Sequence, residues 1–302
     1  IDQSPDKRFF LWVHYLDPHE DYVRHDDVPP FGNRARDLYD AEVVHTDKHI
    51  GRLIEHINAA PYGKRTSIIV SSDHGEAFGE NGMWRHGFEL WEVLVRVPLI
   101  VHVPEKYKHL APAGYEAGGV SDQLVGFIDF APTVLSIAGM KPLAHMQGHA
   151  FMGKHAAPAQ KYSFGFRGRM DERYDMVRTV FDGRYVYIRN YMPHKIYGQF
   201  ISYMFKTPTT RVWHDMYHAG KLNEAQSKFW QTKPAEELYD LKNDRDEVNN
   251  LAKSKEHRDA LRRLRRAHVK WVKDVRDIGF LPEAEIHTRS KNDSPYEMGH
   301  DT

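Results

Sequence analysis

"TSIIVSSDHGEAFGENGMWRHG" runs from Thr66 to Gly87 and decides how the rest of the chain is read. Ile68, Ile69 and Val70 are apolar and β-branched, as a buried strand requires, and Asp73-His74-Gly75-Glu76 follows at once. A second His-Gly pair stands at His86. In open α/β sheets, ligands collect beyond the carboxyl ends of the strands, where loops converge without blocking the hydrogen-bonded edges. Asp73 at such an end can offer oxygen to a divalent cation, and His74 can offer nitrogen or a hydrogen bond. Gly75, Gly79 and Gly82 let the backbone turn sharply and admit a ligand closely. Taken alone, an Asp-His pair is more often a glycine-rich connection with solvated charges.

Working outward, "RFFLWVHY" (Arg8 to Tyr15) reads as a buried strand ending at Asp17-Pro18, and its loop, "DPHEDY", carries His19. Val43, Ile50, Leu53, Ile54 and Ile57 recur at helical spacing and predict a helix from about Ala35 to Ala59. "RVPLIVHV" is a third strand, and a helix over Asp129 to Ala138 stops at Gly139. Strands alternating with helices predict a mainly parallel α/β sheet flanked by helices, because parallel strands need crossovers. After about Pro158 the pattern changes. "YDMVRTVFDGRYVYIRNY" alternates around Asp182-Gly183, a hairpin signal. A polar, helix-prone region follows from Gln199 to Trp230, then a short strand, "EELYDL", and a long helix from Lys255 to Val275. The expected division is an α/β part over 1–157 and a smaller α+β subdomain over 158–302.

The 302 residues are 41% apolar and 28% charged, with formal net charge +0, so no global field points to nucleic acid. With no cysteine, disulfides, thiolate metal sites and a cysteine nucleophile are excluded. No apolar run approaches the ~20 residues that cross a bilayer.

Several stretches together are specific. "FFLWVHYLDPHEDY", "YDAEVVHTDKHIGRLIEHI", "SSDHGEAFGENGMWRHGFELWEVLVRVPLIV", "SDQLVGFIDFAPTVLSIAG" and "EELYDLKNDRDEVNNLA" resemble, in order, consecutive blocks of the sulfatase family in the alkaline-phosphatase-like superfamily. The resemblance implies a hydrolase of sulfuric esters acting on a sulfated small molecule or glycan. It implies that Asp73 and His74 are metal ligands, and that His19 and His86 contact the sulfate and leaving-group oxygens. Many relatives have lysine where His86 stands and asparagine where His74 stands. Calcium is the metal the resemblance implies first, yet an imidazole ligand suits manganese or zinc. It also implies periplasmic or extracellular work.

The family's nucleophile is a formylglycine made from Cys or Ser in a C/S-x-P-x-R motif, and no such motif occurs here. The expectation is therefore the carboxyl-terminal portion of such an enzyme, with formylglycine supplied upstream. A phosphodiesterase or phosphonate monoester hydrolase of the same superfamily is the alternative. A non-catalytic relative that grips anionic glycans is another.

Smaller signals are weaker. His45 and His49 sit one helical turn apart, but the glutamate of H-E-x-x-H is absent. Asp47 falls on the apolar stripe, where a carboxylate needs partners. Arg167 and Arg169, with Arg173 and Arg178, either line a pocket for an anionic glycan or form a charged strand edge. Basic residues on the long terminal helix read as a solvated face more readily than as a nucleic-acid surface.

Overall fold

The computed structural model describes residues 1–19, 21–80, 83–87, 89–170 and 172–300. In chain order the elements are α1 (Ala35–Ala59), β1 (Ile68–Ser71), β2 (Ala77–Phe78), β3 (Trp84–Arg85), α2 (Glu92–Val95), β4 (Leu99–His102), α3 (Phe130–Ile137), β5 (Ser163–Met170), β6 (Arg173–Phe181), β7 (Tyr185–Asn190), α4 (Pro208–His218), α5 (Glu224–Ser227), β8 (Glu236–Asp240), α6 (Arg258–Asp274), α7 (Glu283–Arg289) and α8 (Pro295–His300). They fall into two units. The first comprises Ile1–Ser71, Leu99–Ala111 and Tyr115–Ala117; the second comprises Ser72–Pro98, Pro112–Gly114 and Gly118–Thr302.

In the first unit α1 begins where Asp37 turns back and accepts the Arg34 backbone N–H at 3.0 Å, satisfying a donor that the helix start leaves open. It buries two carboxylates, Asp37 and the fully enclosed Glu42, whereas Asp47 is exposed; Ile50, Leu53, Ile54 and Ile57 lie on its less exposed side as the spacing predicts, and Val43 does not. Strands β1 and β4 pair antiparallel, from Ile68 opposite His102 to Ser71 opposite Leu99. Residues 8–15, expected as a buried strand, form no ladder, and Phe10 and Trp12 are 68% and 67% exposed. No parallel ladder occurs among the described residues. A strand buried on both faces needs neighbours at both edges, and an apolar composition cannot supply them.

The second unit holds a four-stranded antiparallel sheet in the order β5-β6-β7-β8. The Asp182-Gly183 turn forms as predicted. Gly183 takes φ 94°, and the Asp182 carboxylate accepts the backbone N–H groups of Arg184 at 3.0 Å and Tyr185 at 2.7 Å. Helix α6 lays Leu261 and Leu264 on Val180, Tyr187 and Leu238. Two of its arginines are held by carboxylates of the same unit, Arg263 by Asp182 at 2.5 Å and Arg265 by Glu236 at 2.7 Å. A second core gathers Trp91, Leu94, Tyr197, Trp213, Phe229 and Trp230.

Candidate functional site

The quoted loop forms a small hairpin that its composition did not announce. Strands β2 and β3 pair with Ala77 opposite Arg85 and Phe78 opposite Trp84. The next position in that register sets Glu76 opposite His86, and the His86 Nδ1 lies 3.0 Å from Glu76 Oε2. The Glu76 side chain is 5% exposed and its Oε1 has no hydrogen-bond partner. An ionised carboxylate only accepts, so His86 Nδ1 donates to it. Sequence reasoning missed this pairing. The available signal was Glu76 itself, an acid two residues beyond His74 inside the loop. Gly82 lies outside the described residues.

His74 stacks on His86, ring centroids 3.9 Å apart at 27°. Its Nδ1 stands 2.9 Å from the Gly75 carbonyl oxygen, which can only accept, so Nδ1 carries the hydrogen and Nε2 is left with a lone pair. That Nε2 lies 3.8 Å from Asp73 Oδ2, and the Asp73 side chain is 70% exposed. One oxygen and one nitrogen so arranged could share a divalent cation, and would fill only part of its shell.

The loop is anchored from behind. The Gly75 N–H donates to the Leu94 carbonyl at 2.8 Å, and a Cβ on Gly75 would meet the Val93 carbonyl oxygen at 2.0 Å, so only glycine fits. Helix α2, which supplies both carbonyls, is itself held at its start. The Glu92 N–H donates to Glu247 Oε1 at 2.6 Å. Glu247 is buried in the left-handed region at φ 53°, and burial pushes its carboxyl up to about 8. A tail residue thus fixes the support of the Asp73-His74 turn.

His19 belongs to the first unit, exposed in the turn after Pro18, where its N–H donates to the Leu16 carbonyl at 3.0 Å. Arg167 is buried, its Nη1 2.5 Å from Glu89, while its Nε and Nη2 have no hydrogen-bond partner. Burial pushes Glu89 up to about 7 against the opposing pull of Arg167 and Lys233. Arg169 donates to the Leu281 carbonyl at 2.8 Å and lies over the Tyr174 ring. Arg178 makes a bidentate pair with Asp277 at 2.5 and 3.0 Å.

Comparison with solved structures defines the fold. The fold matches that of a protein solved with its substrate D-glucosamine-2-N,6-O-disulfate (TM-score 0.56, 21% identity, 83% of this chain and 45% of that one). It also matches a phosphonate monoester hydrolase of Agrobacterium radiobacter (TM-score 0.52, 19% identity, 78% and 42%). This is the alkaline-phosphatase-like α/β fold, with the antiparallel sheet at its carboxyl-terminal end. Residues 1–140 match the family model described as Sulfatase, and this part of the chain belongs to that family. An ulvan-active sulfatase of Formosa agariphila is 33% identical over 249 residues, 82% of this chain and 40% of its own length. The chain therefore spans about two fifths of the length of that relative.

Proposed function

We propose that these residues work within a sulfuric ester hydrolase acting on a sulfated carbohydrate, exported to the periplasm or beyond. Residues 1–157 are read as the later part of its catalytic α/β domain and 158–302 as its α+β subdomain. The observation that carries the functional reading is the turn in which Asp73 Oδ2 and His74 Nε2 lie 3.8 Å apart beside the Glu76–His86 pair.

Asp73 and His74 are the metal ligands of the proposal, calcium first, with manganese or zinc favoured by the imidazole. A bound cation would neutralise sulfate oxygens. His86, oriented by Glu76, presents Nε2 to a sulfate oxygen, and Glu76 beside it stabilises the protonated ring. His19 binds or protonates the leaving-group oxygen. Arg167, with its two uncommitted nitrogens, and Arg169 are the candidates for anionic groups of the glycan. A formylglycine nucleophile would come from a C/S-x-P-x-R motif upstream.

Aryl sulfate and aryl phosphodiester hydrolysis by the complete gene product separates this reading from its phosphonate-hydrolase neighbour. In that protein His86→Ala should lower turnover about 10²–10⁴-fold with an unchanged melting temperature. Glu76→Gln should move the pH profile while retaining part of the rate. Wild-type turnover and an unmoved profile in both variants would remove His86 and Glu76 from the site.

A further inference from the structure

The first unit carries a second cluster of metal-type donors, none of them used above. Glu42 and His45 stand three residues apart on α1 and so share a face of that helix. The preceding loop brings His25 and Asp27 to them. The rings of His25 and His45 are stacked, centroids 3.8 Å apart at 12°, and His45 Nδ1 is 2.9 Å from Asp27 Oδ1. One ligand atom from each of His25, Asp27 and His45 lies within 4.8 Å of the others.

Two atoms at this cluster are unaccounted for. His25 Nε2 is buried with no hydrogen-bond partner and lies 3.8 Å from Glu42 Oε1, beyond bonding reach. The Glu42 side chain is 1% exposed, and its Oε2 has no partner either. Its Oε1 accepts the Val23 N–H at 2.7 Å. Buried polar atoms are ordinarily satisfied, so an imidazole and a carboxylate left open beside each other point to a ligand. The helical pair His45 and His49 does not form the zinc arrangement that its spacing suggests. His49 lies 3.2 Å from Arg52 Nη1, and His45 pairs instead with Asp27. Lys48 donates to Asp27 Oδ2 at 2.7 Å, which leaves Oδ1 directed to His45.

We propose that His25, Asp27 and His45 bind one divalent transition-metal ion of the zinc class, with Glu42 as the buried carboxylate beside it, 3.8 Å from His25 Nε2. Two imidazole nitrogens and one carboxylate oxygen form a borderline donor set that suits zinc or cobalt and disfavours calcium, whose shell is all oxygen. Ligand atoms around one tetrahedral zinc stand about 3.3–3.6 Å apart, so closure takes side-chain movements on the order of 1 Å.

The test is calorimetric titration of the chelator-treated full chain with Zn²⁺, alongside the visible absorption of a Co²⁺ complex, with circular dichroism to verify each fold. The expected result is one equivalent that survives His74→Ala and His49→Ala and is lost in His45→Ala, a half-exposed position that tolerates truncation. Glu42→Gln should retain the equivalent at about 10–100-fold weaker affinity. Calcium in excess should not displace the ion. A wild-type chain that takes up no zinc overturns the proposal, as does a folded His45→Ala variant that keeps the full stoichiometry. Loss of the same equivalent in His74→Ala would assign the ion to the Asp73-His74 turn and overturn it as well. None of these outcomes depends on sulfatase activity.

Discussion

Strands β1 and β4 carry Ile68, Ile69, Val70, Leu99, Ile100 and Val101, a set at least as apolar as the Met176, Val177 and Val180 of β6. Yet every residue of β1 is half-buried and Ile100 of β4 is 62% exposed, while β6 is buried without interruption from Asp175 to Val180. The difference lies in their neighbours. β6 has a ladder on each edge and α6 across one face, whereas among the described residues β1 and β4 have one ladder, shared between them. Apolar composition states what a strand needs, and the surrounding elements decide whether it gets it.

The comparison breaks first at Leu264. This side chain is fully enclosed where α6 meets the four-stranded sheet. Leu264→Ala should cost about 2–5 kcal/mol, the range for a buried leucine whose cavity relaxes only partly. Urea denaturation of the full chain reads it, and a loss below about 1 kcal/mol would mean that the second sheet owes little to its helix.

What could be read in advance follows the same division. The Asp182-Gly183 hairpin, the "EELYDL" strand and the terminal helix depend on local chemistry, namely turn residues and periodicity over one segment, and they appear where expected. Residues 8–15 depend on partners elsewhere, so their strand-like composition carried no information about pairing. In the loop, residue type and position at a strand end made Asp73, His74 and His86 candidates, and the family resemblance suggested their roles. The Glu76–His86 pair was not, because it requires the register of a two-residue hairpin whose residues have no strand signature. Glu247 was further out of reach, 155 residues along the chain from the Glu92 N–H it accepts.

A smaller effect sharpens the contrast through pH. Burial raises Glu247 to about 8 and Glu89 to about 7, from 4.5 in the open chain. Between those values the folded unit keeps protons that the unfolded chain has released. The associated stability is complete below pH 4.5 and is lost as pH rises through 7 to 8. His268, lowered to about 4 chiefly by burial, acts in the opposite sense, its contribution present above pH 6.5 and lost as pH falls through 4. Melting temperatures across pH 5 to 8.5 should fall on the alkaline side, and Glu247→Gln should flatten that fall. An unchanged slope in the variant would place the Glu247 carboxylate in water and dissolve its part in supporting α2.

The smallest expected effect is in β4. Ile100→Thr keeps β-branching, and with it the backbone preference of a strand, while replacing an apolar surface that is mostly hydrated already. Such a change should alter the stability of the chain by no more than about 0.5 kcal/mol, read by the same urea titration as Leu264→Ala. The pair of variants isolates the role of neighbours, since both remove apolar surface from elements of similar composition. If Ile100→Thr costs about 2 kcal/mol or more, that face of β4 is covered in solution, and the contrast between the two sheets is one of partner identity rather than of partner number.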